Sequence, residues 1–251
     1  MTISKIHYII DDKEDSLNEL YMENMESLDI IIGILLIIIS YFIGSIPFGV
    51  VLGKLICKKD IRQYGSKNIG TTNAIRVLGK KVGFLVFFCD VLKGALVIIF
   101  VKILKLTNVW VNPEGIDMFL YGAAAILGHS FSIFLDFKGG KAVATSLGVV
   151  LVLTPIPAIA CLVIFSLIFF TTKYVSLAST GATLTVILTS WLLYGFGVEQ
   201  VTHIGLYFIA KPTLVLVVLY TILAMLIIIK HIKNYKRLLQ GTENSFKKKK
   251  D

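Results

Sequence analysis

The residues best suited to chemistry lie in a polar loop at residues 58–81, which we call the first loop. Its centre combines glycines, basic side chains, asparagines and hydroxyl groups. The candidate anion-binding residues are Arg62, Ser66, Asn68, Gly70, Thr72, Asn73 and Arg76. Glycines let backbone N–H groups approach phosphate oxygens, while Lys and Arg supply charge. A solvated basic loop beside a membrane would explain the lysines, but not the run of glycine, asparagine and threonine at 65–73.

A second polar centre runs from His129 to Lys141. The histidine has an ordinary pKa suited to general-base chemistry, although a lone helical histidine is more often a packing residue. Lys138, Gly139, Gly140 and Lys141 follow it and open the next helix. The N-terminal N–H groups and dipole of that helix favour an anion.

Charges also lie inside an apolar segment, where Asp90 and Lys93 are three residues apart on one helical face and could pair. Ionisable residues in a membrane span are functional candidates, although an ion pair that joins two helices explains them equally well. No serine or cysteine lies in a recognisable nucleophile elbow or beside a His/Asp pair.

The elements that must position these residues are membrane helices. The chain has 251 residues, of which 56% are hydrophobic, and several long apolar runs, so it is predicted to be an integral membrane protein. We expect an all-α polytopic fold with about seven transmembrane helices. Breaks are predicted at residues 44–49 and 154–157, where prolines remove backbone donors.

The predicted organisation is a single transmembrane domain at 28–246. It is preceded by an acidic, poorly ordered extension at 1–27 and followed by a basic tail at 247–251. The three cysteines lack metal-ligand spacing, and the uneven distribution of the net charge of +9 makes nucleic acid a poor explanation for it.

Charge asymmetry predicts the orientation. With the N-terminus outside, most Lys and Arg residues lie on the cytoplasmic side of a cell membrane. This arrangement gathers Ser45, the first loop, the second polar centre, Ser176 to Ser179 and the stretch from Asn234 to Glu243 at one face. We therefore expect one cationic site next to apolar helices, suited to ligands with phosphate groups and an acyl chain.

At these residues the sequence resembles the acyl-phosphate:glycerol-3-phosphate acyltransferases of bacterial phospholipid synthesis. The matching motifs, in one-letter code, are GSIPFG at 44–49, DIR at 60–62, GSKNIGTTNAIR at 65–76, DVLKG at 90–94, GHSF at 128–131, FKGGK at 137–141, YVSLAS at 174–179 and RLLQGTE at 237–243. They occur in the family's order across most of the chain.

The resemblance implies transfer of a fatty acyl group from acyl phosphate to the 1-hydroxyl of glycerol 3-phosphate, without metal or coenzyme. It implies that the first loop, Lys93, Lys138, Ser176, Ser179, His231, Asn234 and Glu243 hold the two phosphate groups. Membrane lipid and the enzyme that forms acyl phosphate are the other expected partners.

Four residues depart from the family pattern, which usually has Gly at the positions of Lys67 and Ala142, Pro at that of Ser132 and Ala at that of Thr71. Thr71 is close to alanine in size and is expected to be tolerated. Two alternatives stay open. Broken helices with charges inside the membrane also occur in transporters for anionic metabolites. Another membrane acyltransferase could use coenzyme A or acyl carrier protein as donor.

Overall fold

The structure is a computed structural model that describes residues 3–110, 112–113, 116–197 and 213–246. The described part of the chain is all-helical. Its nine α-helices are α1 (Ile3–Ser45), α2 (Phe48–Cys57), α3 (Thr71–Leu78), α4 (Lys80–Leu106), α5 (Phe119–Ser130), α6 (Val143–Leu153), α7 (Pro155–Thr172), α8 (Val175–Gly195) and α9 (Leu214–Leu239). Short 3₁₀ helices lie at Ile61–Gln63 and Ile133–Leu135.

Five described segments are long and apolar enough to cross a membrane: Met25–Ser45, Lys80–Leu106, Pro155–Thr172, Val175–Gly195 and Leu214–Leu239. The helices α2, α5 and α6 are apolar but shorter. Many large apolar side chains on the long helices face outward, including Phe84, Phe88 and Leu188. This is the surface expected of a protein whose solvent is lipid. The number of crossings, about seven, stays a prediction.

The break between α1 and α2 was predicted from Pro47 and is confirmed. It frees backbone carbonyl groups that need partners in an apolar environment. The Ser132 hydroxyl donates a hydrogen bond to the Ser45 carbonyl at 2.6 Å. Lys93 Nζ donates to the Ile46 carbonyl at 2.8 Å. Side chains from two other elements therefore stabilise the break.

The predicted division of residues 142–172 is also confirmed, because α6 ends at Leu153 and α7 begins at Pro155. Thr154 lies between the two helices and is buried. Proline suits the first turn of a helix, where its missing N–H has no helical partner.

Close helix packing places α1 on α5 and α4 on α6. A Cβ atom added to Gly128 would lie 2.2 Å from the Tyr41 carbonyl oxygen, and one added to Gly94 would lie 2.1 Å from that of Thr145. Small residues let membrane helices approach this closely. The core that results includes Ile98, Phe119, Tyr121 and Val149, all fully buried.

The N-terminal stretch was expected to be poorly ordered, and that expectation stays a prediction. The backbone of α1 is helical from Ile3, through the acidic residues and into the first apolar span. Ten of the 25 residues at 3–27 are Leu, Glu, Lys or Met, which are good helix formers, so local propensity is compatible with a helix that continues into the span. The division at residue 27 stays a prediction, and the tail at 247–251 lies outside the described residues.

Candidate active site

A polar cavity of about 300 Å³ lies where α3, α5, the start of α6, the start of α8 and the end of α9 meet. It brings together most of the residues singled out in the sequence. The predicted site residues that line it are Ser66, Asn68, Gly70, Thr72, Asn73, Arg76, His129, Gly139, Gly140, Lys141, Ser176, Ser179, His231, Asn234 and Glu243.

The first loop takes its shape from Asn73, which is 1% exposed. Its Nδ2 donates to the carbonyl groups of Ile61, Tyr64 and Asn68 at 2.9, 3.2 and 2.9 Å. Its Oδ1 accepts a hydrogen bond from the Ser66 N–H at 2.9 Å. The side chain therefore fixes the loop backbone around the cavity. The buried hydroxyl of Thr71 also lines the cavity and has no hydrogen-bond partner among the described residues.

His129 forms part of a buried group with Asp90 and Lys93. Lys93 Nζ lies 2.7 Å from Asp90 Oδ1, and His129 Nδ1 lies 3.7 Å from the same oxygen. Gly139 and Gly140 cover the histidine: the Gly140 N–H donates to the His129 carbonyl at 2.9 Å. A Cβ atom on Gly140 would lie 2.2 Å from His129 Nε2. Only glycine allows the turn to pack directly on the ring.

A hydrogen-bonded chain crosses the other side of the cavity. Lys141 Nζ donates to Asn234 Oδ1 at 2.5 Å, and Asn234 Nδ2 donates to Glu243 Oε1 at 2.7 Å. Arg237 Nε donates to Glu243 Oε2 at 2.7 Å. These bonds join the second polar centre to α9 and to the segment that follows it.

The pKa values of two residues in this hydrogen-bonded chain, Lys141 and Glu243, are shifted from their ordinary values. Burial is the largest influence on Lys141 and lowers its pKa to about 8; Glu243 opposes this, whereas Arg237 and Arg76 lower the pKa further. Burial alone would raise the pKa of Glu243. The hydrogen bonds from Asn234 and Arg237 outweigh burial and hold the pKa of Glu243 below its usual range.

The residues that follow α9, 241–246, fold back over the cavity as a C-terminal segment. Arg76 donates a hydrogen bond to the Asn244 carbonyl at 3.0 Å, and its guanidinium carbon lies 4.9 Å from the centre of the Phe246 ring. The Phe246 N–H donates to the Lys173 carbonyl at 3.0 Å. The segment thus connects α3, α9 and the turn between α7 and α8.

Four predicted site residues do not line the cavity. Ser45 is the last residue of α1. Lys93 pairs with Asp90, which in turn lies next to His129. Arg62 forms a bidentate pair with Asp60, which accepts at 2.9 and 2.6 Å. Lys138 is exposed although its neighbour Gly139 lines the cavity. Their proposed contacts with substrate stay predictions.

Other polar lining residues were not included among the predicted site residues. They are Thr71, Asp90, Lys230, Lys233, Arg237 and Asn244. Helical spacing contained a signal for two of them, because Lys230 and Arg237 lie four and three residues from Asn234. The contribution of Asn244 depends on the fold of the C-terminal segment, which local sequence does not indicate.

An apolar cavity of about 140 Å³ adjoins the polar one. The two share Phe87, Val143, Ala144 and Phe165 as lining residues. The remaining walls come from apolar faces of α5 to α9. Cationic and purely apolar space therefore meet at one junction. Among the described residues, no group of three or more His, Cys, Asp or Glu side chains is placed to hold a metal ion.

The departures from the family pattern have defined geometry. Lys67 and Ala142 have φ angles of 59° and 57°, in the left-handed region that favours glycine. Ser132 has φ of −67°, which proline would also adopt, and uses its hydroxyl to bind the Ser45 carbonyl.

Fold and site together define a polytopic helical membrane protein with a cationic cavity that opens onto an apolar one. The family model for glycerol-3-phosphate acyltransferase matches residues 34–241. The chain belongs to this family.

Relatives and solved structures agree with this assignment. Glycerol-3-phosphate acyltransferase of Acholeplasma laidlawii is 40% identical over 237 residues, which cover 90% of this chain and 97% of the relative. Glycerol-3-phosphate acyltransferase 2 of Bacillus anthracis is 44% identical over 84% of this chain and 97% of its own length. The crystal structure of PlsY (YgiH), an integral membrane glycerol 3-phosphate acyltransferase in its glycerol 3-phosphate form, has a TM-score of 0.70. It shares 38% identity, over 86% of this chain and 96% of that chain.

Proposed function

We propose that this protein transfers a fatty acyl group from acyl phosphate to the sn-1 hydroxyl of glycerol 3-phosphate in phospholipid synthesis. The products are lysophosphatidic acid and inorganic phosphate. The observation that carries the proposal is the junction of the two cavities, because both substrates have a phosphate and the donor also has an acyl chain.

The phosphate groups would lie in the polar cavity. The loop backbone that Asn73 holds in place, the free hydroxyl of Thr71 and the basic groups of Arg76 and Lys141 supply donors and positive charge. Ser176, Ser179, His231 and Asn234 contribute polar groups from the opposite wall. Donors fixed before the substrate binds stabilise developing charge without reorganisation.

The acyl chain would extend into the apolar cavity, past Phe87 and Phe165. This arrangement places the carbonyl carbon at the junction of the two cavities. The hydroxyl of glycerol 3-phosphate can then approach it from the polar side. Bringing the two reactants together in one orientation supplies much of the rate enhancement.

The proposed reaction is a direct transfer. The 1-hydroxyl oxygen forms a bond to the carbonyl carbon, and the bond from that carbon to the bridging phosphate oxygen breaks. The leaving group is phosphate, and the hydroxyl proton goes either to a phosphate oxygen or to His129. We favour the phosphate oxygen, because His129 is packed beneath Gly140 and belongs to the buried group of Asp90 and Lys93.

The proposal includes the orientation expected from charge, with the polar cavity open to the cytoplasm and the protein in the cell membrane. An acyl-phosphate-forming enzyme would deliver the donor at that face. Lys138 and other cations outside the cavity would then attract the anionic substrates toward it.

The test is a donor comparison with purified full-length protein. Palmitoyl phosphate, palmitoyl-CoA and palmitoyl-acyl carrier protein are each supplied with glycerol 3-phosphate, and the position of the product's acyl group is determined by NMR. We expect 1-acyl product from palmitoyl phosphate alone. Equal or faster turnover with either thioester would contradict the proposed donor, and acylation at the 2-hydroxyl would contradict the proposed acceptor position.

A further inference from the structure

Two aromatic side chains line the apolar cavity at positions that are remote, along their helices, from the residues of the polar cavity. Phe119 of α5 is fully buried, and Tyr220 of α9 is 4% exposed; both line the cavity. Their rings meet edge to face, with centroids 5.0 Å apart and an interplanar angle of 82°. Such a contact is a favoured aromatic geometry.

Tyr220 is also held at its other end. Its hydroxyl lies 2.8 Å from the hydroxyl of Thr154, which is 2% exposed at the junction of α6 and α7. The ring is therefore fixed by Phe119 on one side and by Thr154 on the other. Together they form a floor to which four helices contribute: α5 and α9, and α6 and α7 through their junction.

Helix geometry gives the distance from this floor to the polar cavity. Phe119 and His129 lie on α5, ten residues apart, and Tyr220 and His231 lie on α9, eleven residues apart. At the rise of an α-helix, each separation is about 15 Å. The two separations are similar, and each is on the scale of the length of a long saturated acyl chain.

Two small side chains line the apolar cavity. Ala182 of α8 and Ala224 of α9 line the cavity with single methyl groups. A larger side chain at either position would occupy the space that a chain needs to reach the floor.

We propose that the Phe119–Tyr220 pair ends the acyl-chain site and so determines the longest saturated chain that is transferred efficiently. This inference rests on the proposed function, since the chain is that of the donor. The competing arrangement is that the pair belongs only to the core and that the chain leaves sideways into lipid. In that case the size of residue 119 would not affect chain-length preference.

The first experiment measures kcat/KM for myristoyl, palmitoyl, stearoyl and arachidoyl phosphate with purified full-length protein. For the wild-type protein we expect kcat/KM to fall beyond a limiting chain length. Phe119→Leu replaces the ring by a smaller side chain. It should raise kcat/KM for the first chain length beyond the wild-type limit, relative to the chain two carbons shorter, by roughly tenfold, the discrimination expected for one or two methylene groups. The matched control is Phe100→Leu on the outward face of α4, which should leave the ratio unchanged.

A second variant makes the apolar cavity smaller instead of larger. It leaves the Phe119–Tyr220 pair unchanged. Ala224→Phe should lower kcat/KM for stearoyl phosphate by roughly tenfold more than for decanoyl phosphate. Met225→Phe, on the exposed face of the same helix, is its control.

The outcomes separate this inference from the proposed function. A wild-type profile without a limit, or a Phe119→Leu profile equal to that of wild type, would overturn the inference while transfer from acyl phosphate stands. A folded Ala224→Phe protein that loses activity equally for all chains would also overturn it. Absence of turnover with every acyl phosphate would instead contradict the proposed function itself.

Discussion

Lys67 and Ala142 occupy backbone conformations that glycine adopts more easily. The left-handed conformation costs a residue other than glycine about 1 kcal/mol in the folded state. Glycine avoids this cost, but its extra freedom in the unfolded chain lowers the free energy of unfolding by roughly a few tenths of a kcal/mol or more. Lys67 is exposed, so its side chain does not offset the strain. Ala142 is 1% exposed, and its buried methyl group contributes about 0.8 kcal/mol that glycine would lose.

We therefore expect Lys67→Gly to stabilise the protein by about 0.5 kcal/mol and Ala142→Gly to leave stability nearly unchanged. The measurement is thermal unfolding of both variants and the wild-type protein in the same detergent. Lys67→Ala is the control, because it removes the charge but keeps the strained backbone. An equal gain from Lys67→Ala would show that charge repulsion, and not backbone strain, is the cause.

Lys141 provides a pH-dependent prediction. With its pKa lowered to about 8, the ammonium form is complete below that pH and is lost as pH rises through it. If the ammonium binds a substrate phosphate, kcat/KM for glycerol 3-phosphate should fall above about pH 8, because this ratio reports the enzyme form that glycerol 3-phosphate encounters. A steady-state pH profile, corrected for spontaneous hydrolysis of acyl phosphate, measures it.

Lys141→Arg tests whether Lys141 is responsible for that pH dependence. The guanidinium stays charged throughout the range, so the alkaline fall in kcat/KM should disappear even if the maximum is lower. Persistence of the same fall in Lys141→Arg would assign it to another group.

The residues of the site were predictable from the sequence only in part. Residue type and clustering were enough to predict that the first loop and the second polar centre belong to one site. Residue type and clustering were not enough to predict the role of each residue within the site. Asn73 has the chemistry of a phosphate ligand, yet its side chain bonds four backbone groups of its own loop. Lys138 and Lys141 have the same side chain, but only the second lines the cavity.

At the scale of elements, the turn at Gly139 and Gly140 is the part most sensitive to added bulk. A methyl group on Gly140 would lie 2.2 Å from His129 Nε2, and the ring is buried and cannot move freely. Overpacking of this kind typically costs 1 to 3 kcal/mol, so we expect Gly140→Ala to destabilise the protein by about that amount. It should also lower kcat/KM, because the ring and the turn both line the cavity.

Thermal unfolding and steady-state kinetics on the same preparation measure both effects. Gly195→Ala is the matched control, since a Cβ atom there meets no atom of the described residues within 4 Å. A Gly140→Ala protein with wild-type stability and kinetics would show that the close packing of glycine on His129 has no consequence.

Elements with local causes were predictable. Pro47 and Pro155 interrupt apolar runs, and the helices break where these prolines stand. Glu243 was predicted to belong to the site, but the contacts that position the rest of the C-terminal segment were not predicted. Its position depends on Arg76, Lys173 and Glu243, which are far apart in sequence. Long-range partners of this kind leave no periodic signal.

The whole molecule combines a membrane fold with a site at the junction of polar and apolar space. The all-helical architecture followed from composition and hydrophobic length alone. The number of crossings could not be fixed in the same way, because α2, α5 and α6 are shorter than a span. The apolar cavity could not be predicted either, because its walls come from six helices and its floor depends on which aromatic side chains meet.

The central claim at this scale is that both substrates occupy the joined cavities together and that the acyl group passes directly between them. Intact-mass spectrometry of the purified protein after incubation with palmitoyl phosphate alone tests it most directly, with glycerol 3-phosphate added afterwards. We expect no palmitoyl adduct before the addition and lysophosphatidic acid after it. A stoichiometric palmitoyl-enzyme that glycerol 3-phosphate discharges would contradict direct transfer and would assign the nucleophile to Ser176, Ser179 or a cysteine.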